Sequence, residues 1–104
     1  PAQAAVQGRW EPYTSARLAE LRAAGTPVFI DMTAAWCATC KVNERAAIER
    51  AQVATAFADG RVAVLVGDWT NGDPAIGRFL ERFGRSGVPL YLFYPAGRGE
   101  PQLL

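Results

Sequence analysis

The chain has 104 residues, 50% hydrophobic and 20% charged, which is enough for one compact core and too little for two. Eleven Lys and Arg against ten Asp and Glu leave a formal net charge of +1, so no one-signed field points to nucleic acid or an anionic membrane as a partner. Histidine is absent and cysteine occurs twice, which removes the commonest metal ligand and general base and leaves too few thiols for a four-thiolate zinc site.

Residues 1–8 (PAQAAVQG) show little periodicity and read as a linker or weakly ordered terminus ahead of a domain over 9–104. The first residue is Pro1 and no charged-then-apolar signal precedes it, so the chain is expected to be part of something longer. Thr14 or Ser15 can cap a helix through Ala24, with Leu18 and Leu21 on one face, Gly25 just past its end and Pro27 forbidding its continuation. Residues 28–32 (VFIDM) follow as a central strand buried on both faces and carrying one acid, Asp31.

From Ala38 to about Phe57 the residues favour helix, with Val42, Ala46, Val53 and Phe57 as apolar contacts at roughly helical spacing, in one helix or two. Residues 61–67 read as a second buried strand, and Asn71-Gly72 marks a turn. Asp73 and Pro74 are a cap and first-turn pair opening a helix whose Ile76, Phe79, Leu80 and Phe83 form an apolar stripe before Gly84. Residues 88–94 are strand again, 95–99 a turn, and 100–104 a returning edge strand. This order implies one sheet flanked by helices, its first strands parallel and its last pair a hairpin. No apolar run nears the roughly 18 to 20 residues that cross a bilayer, so the domain is not expected to insert into a membrane itself.

The segment Trp36-Cys37-Ala38-Thr39-Cys40-Lys41 falls where a strand-to-helix connection ends. Cys37 therefore stands at a helix N-terminus, where unpaired amides and the dipole favour an anion and thiol pKa values fall from about 8.5 to roughly 3.5–7.5. Cys37 is the expected nucleophile. Cys40 is nearly one turn on, so both sulfurs can share a face and close a small ring, which makes it the expected resolving thiol. Cysteines at this spacing are also found as unrelated buried residues or as half of a metal site, and the spacing alone does not separate these readings. The upstream strand, the neighbouring Trp, the downstream helix and the later Val88-Pro89 step fit a redox pair.

These residues resemble a thioredoxin-fold domain, and more narrowly the C-terminal periplasmic domain of the bacterial thiol:disulfide interchange protein DsbD. The matches lie within 10–104: Asp31 six residues before Cys37, the Ala35-Trp36-Cys37-Ala38-Thr39-Cys40-Lys41 segment, Glu44, Asp68-Trp69-Thr70, and Gly84-Arg85-Ser86-Gly87-Val88-Pro89. Ala38-Thr39 replaces the Gly-Pro of typical thioredoxins, and the kinking proline of the following helix is missing. The resemblance implies a central mixed β-sheet flanked by helices, with the final helix beyond this sequence, and a helix break near 46–50 with a restart near Gln52.

A carboxylate at Asp31 is costly on a buried strand unless paired, neutral or functional. The plain alternative is an acid at a strand end bonded to nearby amides. The resemblance makes Asp31 the proton acceptor for Cys40, with a pKa raised by burial. Glu44 lies one turn beyond Cys40 on a similar face, where it is either a solvated acid near Lys41 or, by the resemblance, a second catalytic acid. Pro89 reads either as an ordinary strand-opening proline or, by the resemblance, as a cis proline whose neighbour Val88 pairs with an incoming partner segment. Trp36 is expected beside Cys37 as apolar contact surface, with plain packing as the alternative. Trp10 and Trp69 are expected to pack the fold, and Arg78, Arg82 and Arg85 to be a solvated face.

The expected function is a protein-disulfide reductase of the periplasm, a domain of an inner-membrane protein, needing no metal or organic cofactor. It would take electrons from a transmembrane dithiol domain and pass them to an N-terminal periplasmic domain of the same protein or to periplasmic thioredoxin-like proteins, acting as a monomer. Two alternatives stand beside it: a freestanding reductase for cytochrome c maturation, and a non-catalytic module holding Cu(I) between the thiolates, which the absence of His and the scarcity of Met disfavour. No cation sits between the cysteines to make the pair strongly oxidising, which favours the reducing direction.

Overall fold

Three apolar runs rich in Val, Leu, Phe and Tyr become the inner strands of a five-stranded sheet ordered β1-β3-β2-β4-β5. The computed structural model describes residues 10–97 and 99–104. Strand β1 is Trp10–Pro12, β2 Val28–Thr33, β3 Ala63–Asp68, β4 Leu90–Tyr94 and β5 Gln102–Leu103; helix α1 is Ser15–Ala23, α2 Ala38–Ile48, α3 Ala51–Ala58 and α4 Pro74–Arg82. Central β2 runs parallel to β3 and antiparallel to β4, and β4 pairs antiparallel with β5. The parallel β2-α-β3 step and the closing hairpin thus take the predicted directions. Strand β1, parallel to β3, is an addition: three residues are too few to show alternation in sequence.

Alternation along β2 sends successive side chains to opposite faces. Val28, Ile30 and Met32 join Leu65, Leu90 and Leu92 under α1 and α4, which contribute Leu18, Leu21, Ile76, Phe79 and Leu80. Phe29 joins Val64, Tyr91 and Phe93 under α2 and α3, which contribute Ala47 and Val53. Each such large apolar side chain contributes about 1.5–3 kcal/mol by burial.

The helix ends follow the sequence closely. Thr14 Oγ1 accepts the Arg17 amide at 3.0 Å and Asp73 Oδ1 accepts the Ala75 amide at 2.8 Å, with Pro74 in the first turn of α4. Gly84 closes α4 at φ 73°, a conformation that allows the Arg85 amide to reach the Leu80 carbonyl at 3.0 Å. The long helical tract is two helices, with Arg50 between them extended at φ −58°, ψ 137°, so the break falls where the resemblance placed it.

Three expectations about packing fail. Val42 is 72% exposed and Ala46 is exposed as well. The inward face of α2 is instead set by Cys40, Glu44 and Ala47, one turn apart in sequence, which turns positions 42 and 46 outward. Trp10 lies exposed on edge strand β1 rather than in a core. Arg85 is half-buried and donates from Nη1 to the Pro89 carbonyl at 3.3 Å, so it is more than solvated surface. The 1–8 linker reading lies outside the described residues, as does Arg98 of the predicted 95–99 turn.

Candidate dithiol site

The site begins where β2 ends. Thr33 closes the strand, residues 34–36 form the connection, and Cys37 is the N-cap residue of α2, with φ −95°, ψ 93° and no side-chain capping bond. The opening amides of a helix have no carbonyl partner within the helix and attract negative charge. Cys37 is half-buried, Cys40 is 2% exposed, and their sulfurs are joined in a disulfide with the Cα atoms 5.4 Å apart. One sulfur is thus approachable and the other sealed. Thr39 Oγ1 lies 3.7 Å from Cys37 Sγ.

Asp31 lies two residues beyond Phe29 on β2 and shares its face, the one covered by α2. It is 1% exposed, and among the described residues its carboxyl has no hydrogen-bonding neighbour other than the Glu44 carboxyl. Glu44, 4% exposed, reaches the same buried space from α2. Burial first, and then the adjacent Glu44 carboxyl, push Asp31 far above the ordinary carboxyl range, to about 9.

Trp36 is 59% exposed beside Cys37 and is held from the loop after β3. Its indole Nε1 donates to the Thr70 carbonyl at 3.1 Å, and the Ala35 amide donates to Thr70 Oγ1 at 2.8 Å. Thr70 in turn donates from its hydroxyl and, at 3.0 Å, from its amide to Asp68 Oδ1. These bonds hold the Asp68 carboxyl below the usual range. The rings of Trp36 and Trp69 stand 6.3 Å apart, and Trp69 itself packs against the α1/α4 core as predicted. A groove of about 610 Å³ opens beside Cys37, lined by Trp10, Tyr13, Ala34, Lys41 and Asp68 among others.

The Val88–Pro89 peptide is cis. Leu90 pairs with Met32 in register, so Pro89 stands at the end of the sheet from which the Cys37 loop leaves β2. The structure therefore gathers Cys37, Cys40, Asp31 and Glu44 around the first turns of α2, and sets Trp36, Val88 and Pro89 at the same end of the sheet. Two residues escaped the sequence reading. Thr70 was legible only as part of a motif, and Tyr91 only as strand; the register that puts Tyr91 opposite Asp31 is the signal that would have found it.

The sequence model described as thioredoxin-like matches residues 9–96. This chain belongs to the thioredoxin-like family. The thioredoxin-like chain is 37% identical over 98 residues to the thiol:disulfide interchange protein DsbD 1 of Pseudomonas aeruginosa, covering 89% of this chain and 16% of that protein. It is 38% identical over 74 residues to the DsbD of Ralstonia nicotianae, covering 71% of this chain and 12% of that protein. The chain thus spans less than a fifth of the curated relatives it matches. Among solved structures, the oxidised C-terminal domain of Neisseria meningitidis DsbD is similar at 28% identity and TM-score 0.54, covering 90% of this chain and 85% of that one. Chloroplastic thioredoxin z is similar at 26% identity and TM-score 0.62, covering 92% of this chain and 80% of that one.

Proposed function

We propose that this thioredoxin-like domain is a protein-disulfide reductase acting through Cys37 and Cys40. The observation that carries the reading is the asymmetric dithiol: an approachable sulfur at a helix N-cap, bonded to a sealed sulfur on the helix face that also buries Glu44. The likeness to proteins named for thiol:disulfide interchange supports it.

In the reduced domain the Cys37 thiolate, stabilised by the opening amides of α2, attacks a partner disulfide. A mixed disulfide forms and one partner sulfur leaves as thiolate. Cys40 gives its proton to the Asp31 carboxylate and attacks Cys37 Sγ, which breaks the mixed disulfide and releases the second partner sulfur. Two electrons have passed to the partner, and the domain is left with the Cys37–Cys40 disulfide. On re-reduction a donor thiolate attacks Cys37 Sγ and breaks the Cys37–Cys40 bond. Asp31, protonated near neutrality because of its raised pKa, returns the proton to the departing Cys40 sulfur, and the donor's second thiol then displaces Cys37 as thiolate. A carboxyl raised towards the thiol range exchanges a proton with a thiol at small cost. Glu44 helps to keep Asp31 in that range.

Trp36 supplies apolar contact for the partner, and Val88 beside cis-Pro89 offers backbone groups to a partner strand. The donor in this reading is a transmembrane dithiol domain, and the acceptors are an N-terminal domain of the same protein or thioredoxin-like proteins of the periplasm, where the domain works as a monomer. Reduction of insulin disulfides with dithiothreitol as donor tests the chemistry. The chain should accelerate it, Cys37→Ser should abolish the acceleration, and Cys40→Ser should accumulate a mixed disulfide at Cys37. A rate no greater than that of dithiothreitol alone overturns the reading.

A further inference from the structure

Tyr91 is buried on β4 directly opposite Asp31 on β2, in the antiparallel register Asp31↔Tyr91. Opposed residues in such a pair project to the same face, so the phenol follows Asp31 into the space beneath α2. There its hydroxyl donates to the backbone carbonyl of Cys40. One side chain therefore joins three parts of the site: the strand opened by Pro89, the strand that carries Asp31, and the helical turn that carries the resolving sulfur.

We propose that Tyr91 is a positioning residue for the resolving step, holding the Cys40 turn in register with Asp31. The inference rests on the redox reading above. The anchor falls on the opening turn of α2, where the Cys40 amide reaches the Cys37 carbonyl at 3.3 Å and Cys37 makes no side-chain capping bond. Opening the disulfide removes the covalent tie between these residues, and the phenol then keeps the turn in place while the proton moves between Cys40 and Asp31. Tyr91 does not carry that proton. Its hydrogen is committed to a carbonyl, and burial together with Asp31 and Glu44 raises its own pKa, so it remains a donor throughout the working range. The titratable groups that act on it are Asp31 from β2 and Glu44 from α2, while Arg50 and Arg85 line with it a cavity of about 260 Å³.

The reduced chain, mixed with the aryl disulfide dithiobisnitrobenzoate, releases one coloured thiolate when Cys37 attacks and a second when Cys40 resolves the aryl mixed disulfide. Both releases are read by stopped-flow absorbance. Tyr91→Phe keeps the ring and removes the hydroxyl. It should slow the second release by about three- to tenfold between about pH 6 and 9 while changing the first less than about twofold. Asp31→Asn should slow the second release too, and the double variant should be no slower than Asp31→Asn alone, because the tyrosine acts by aligning Cys40 with Asp31. Replacing Tyr91 by p-aminophenylalanine, which restores an N–H donor on the same ring, should recover the rate and provides the comparison if the Phe variant is poorly folded. A second release in Tyr91→Phe within about twofold of the parent, multiplying penalties in the double variant, or p-aminophenylalanine behaving as Phe would each overturn the proposal. Absence of any second release from the parent chain would instead overturn the redox reading itself.

Discussion

Asp31 and Glu44 place two carboxyls in one buried space, one from the centre of the sheet and one from the helix that begins with the dithiol. Asp31 finds no hydrogen-bonding group among the described residues other than the Glu44 carboxyl. Two carboxylates so close and so dry cannot both ionise without large cost, so the pair holds a proton that an isolated surface acid would lose. That proton is the one returned to the Cys40 sulfur on re-reduction, which leaves the carboxylate that accepts it again in the resolving step.

Asp31→Asn should stabilise the oxidised chain, and by an amount that grows with pH. Folded Asp31 keeps its proton up to about 9, whereas in the unfolded chain the carboxyl ionises near 3.9. Between these values the folded state binds more protons, and stability falls as pH rises. The substitution removes this penalty, with a gain of a few kcal/mol, at most about 5, near pH 8 and close to none near pH 4. Urea unfolding at the two pH values measures it; an equal gain at both would mean that the carboxyl titrates normally.

Thr70→Val should loosen the loop that carries Trp36. It removes the acceptor for the Ala35 amide and the hydroxyl donor to Asp68, at a cost of about 0.5–2 kcal/mol. Asp68 should titrate nearer its ordinary value, since the Thr70 side chain is the first cause of its lowered pKa. The stabilisation from a lowered carboxyl is present above its unfolded pKa and is lost as pH falls through the folded one, so the variant should have less of it to lose on acidification. An NMR titration of the Asp68 carboxyl carbon checks the direction, and an unchanged midpoint would detach Thr70 from it.

Gly67 and Met32 are neighbours across β3 and β2, and a Cβ at position 67 would stand 2.1 Å from Met32 Sδ and 3.4 Å from Ile76 Cδ1. Gly67→Ala should therefore cost about 1–3 kcal/mol by overpacking. Pairing it with the shorter side chain of Met32→Val should recover part of the loss. Thermal unfolding of both variants decides; an unchanged midpoint for Gly67→Ala would show that Met32 moves aside freely.

Helix caps and inner strands were legible because they depend on local chemistry. Thr14, Asp73-Pro74 and Gly84 mark helix ends wherever the chain goes, and runs such as 28–32 are too apolar to lie outside a core. The phase of α2 was not legible. Val42 is as apolar as a core residue, yet burial of Cys40 turns it outward, a choice made by the sheet rather than the helix. The three-residue strand β1 has no periodicity to read and forms only because β3 offers it a free edge. At the site, position in the chain revealed Cys37 and Cys40, and the cost of an acid on a buried strand singled out Asp31. Tyr91 stayed hidden because its part depends on strand register and on a carbonyl rather than on a motif.

The most direct test of the account is the order in which the two sulfurs react. With the chain fully reduced and iodoacetamide added below stoichiometry, peptide mass spectrometry should find the label on Cys37 with Cys40 still free, and lowering the pH below the free-thiol pKa of about 8.5 should slow Cys37 far less than Cys40. Label divided evenly between the two, or placed first on Cys40, would contradict an activated sulfur at the start of α2.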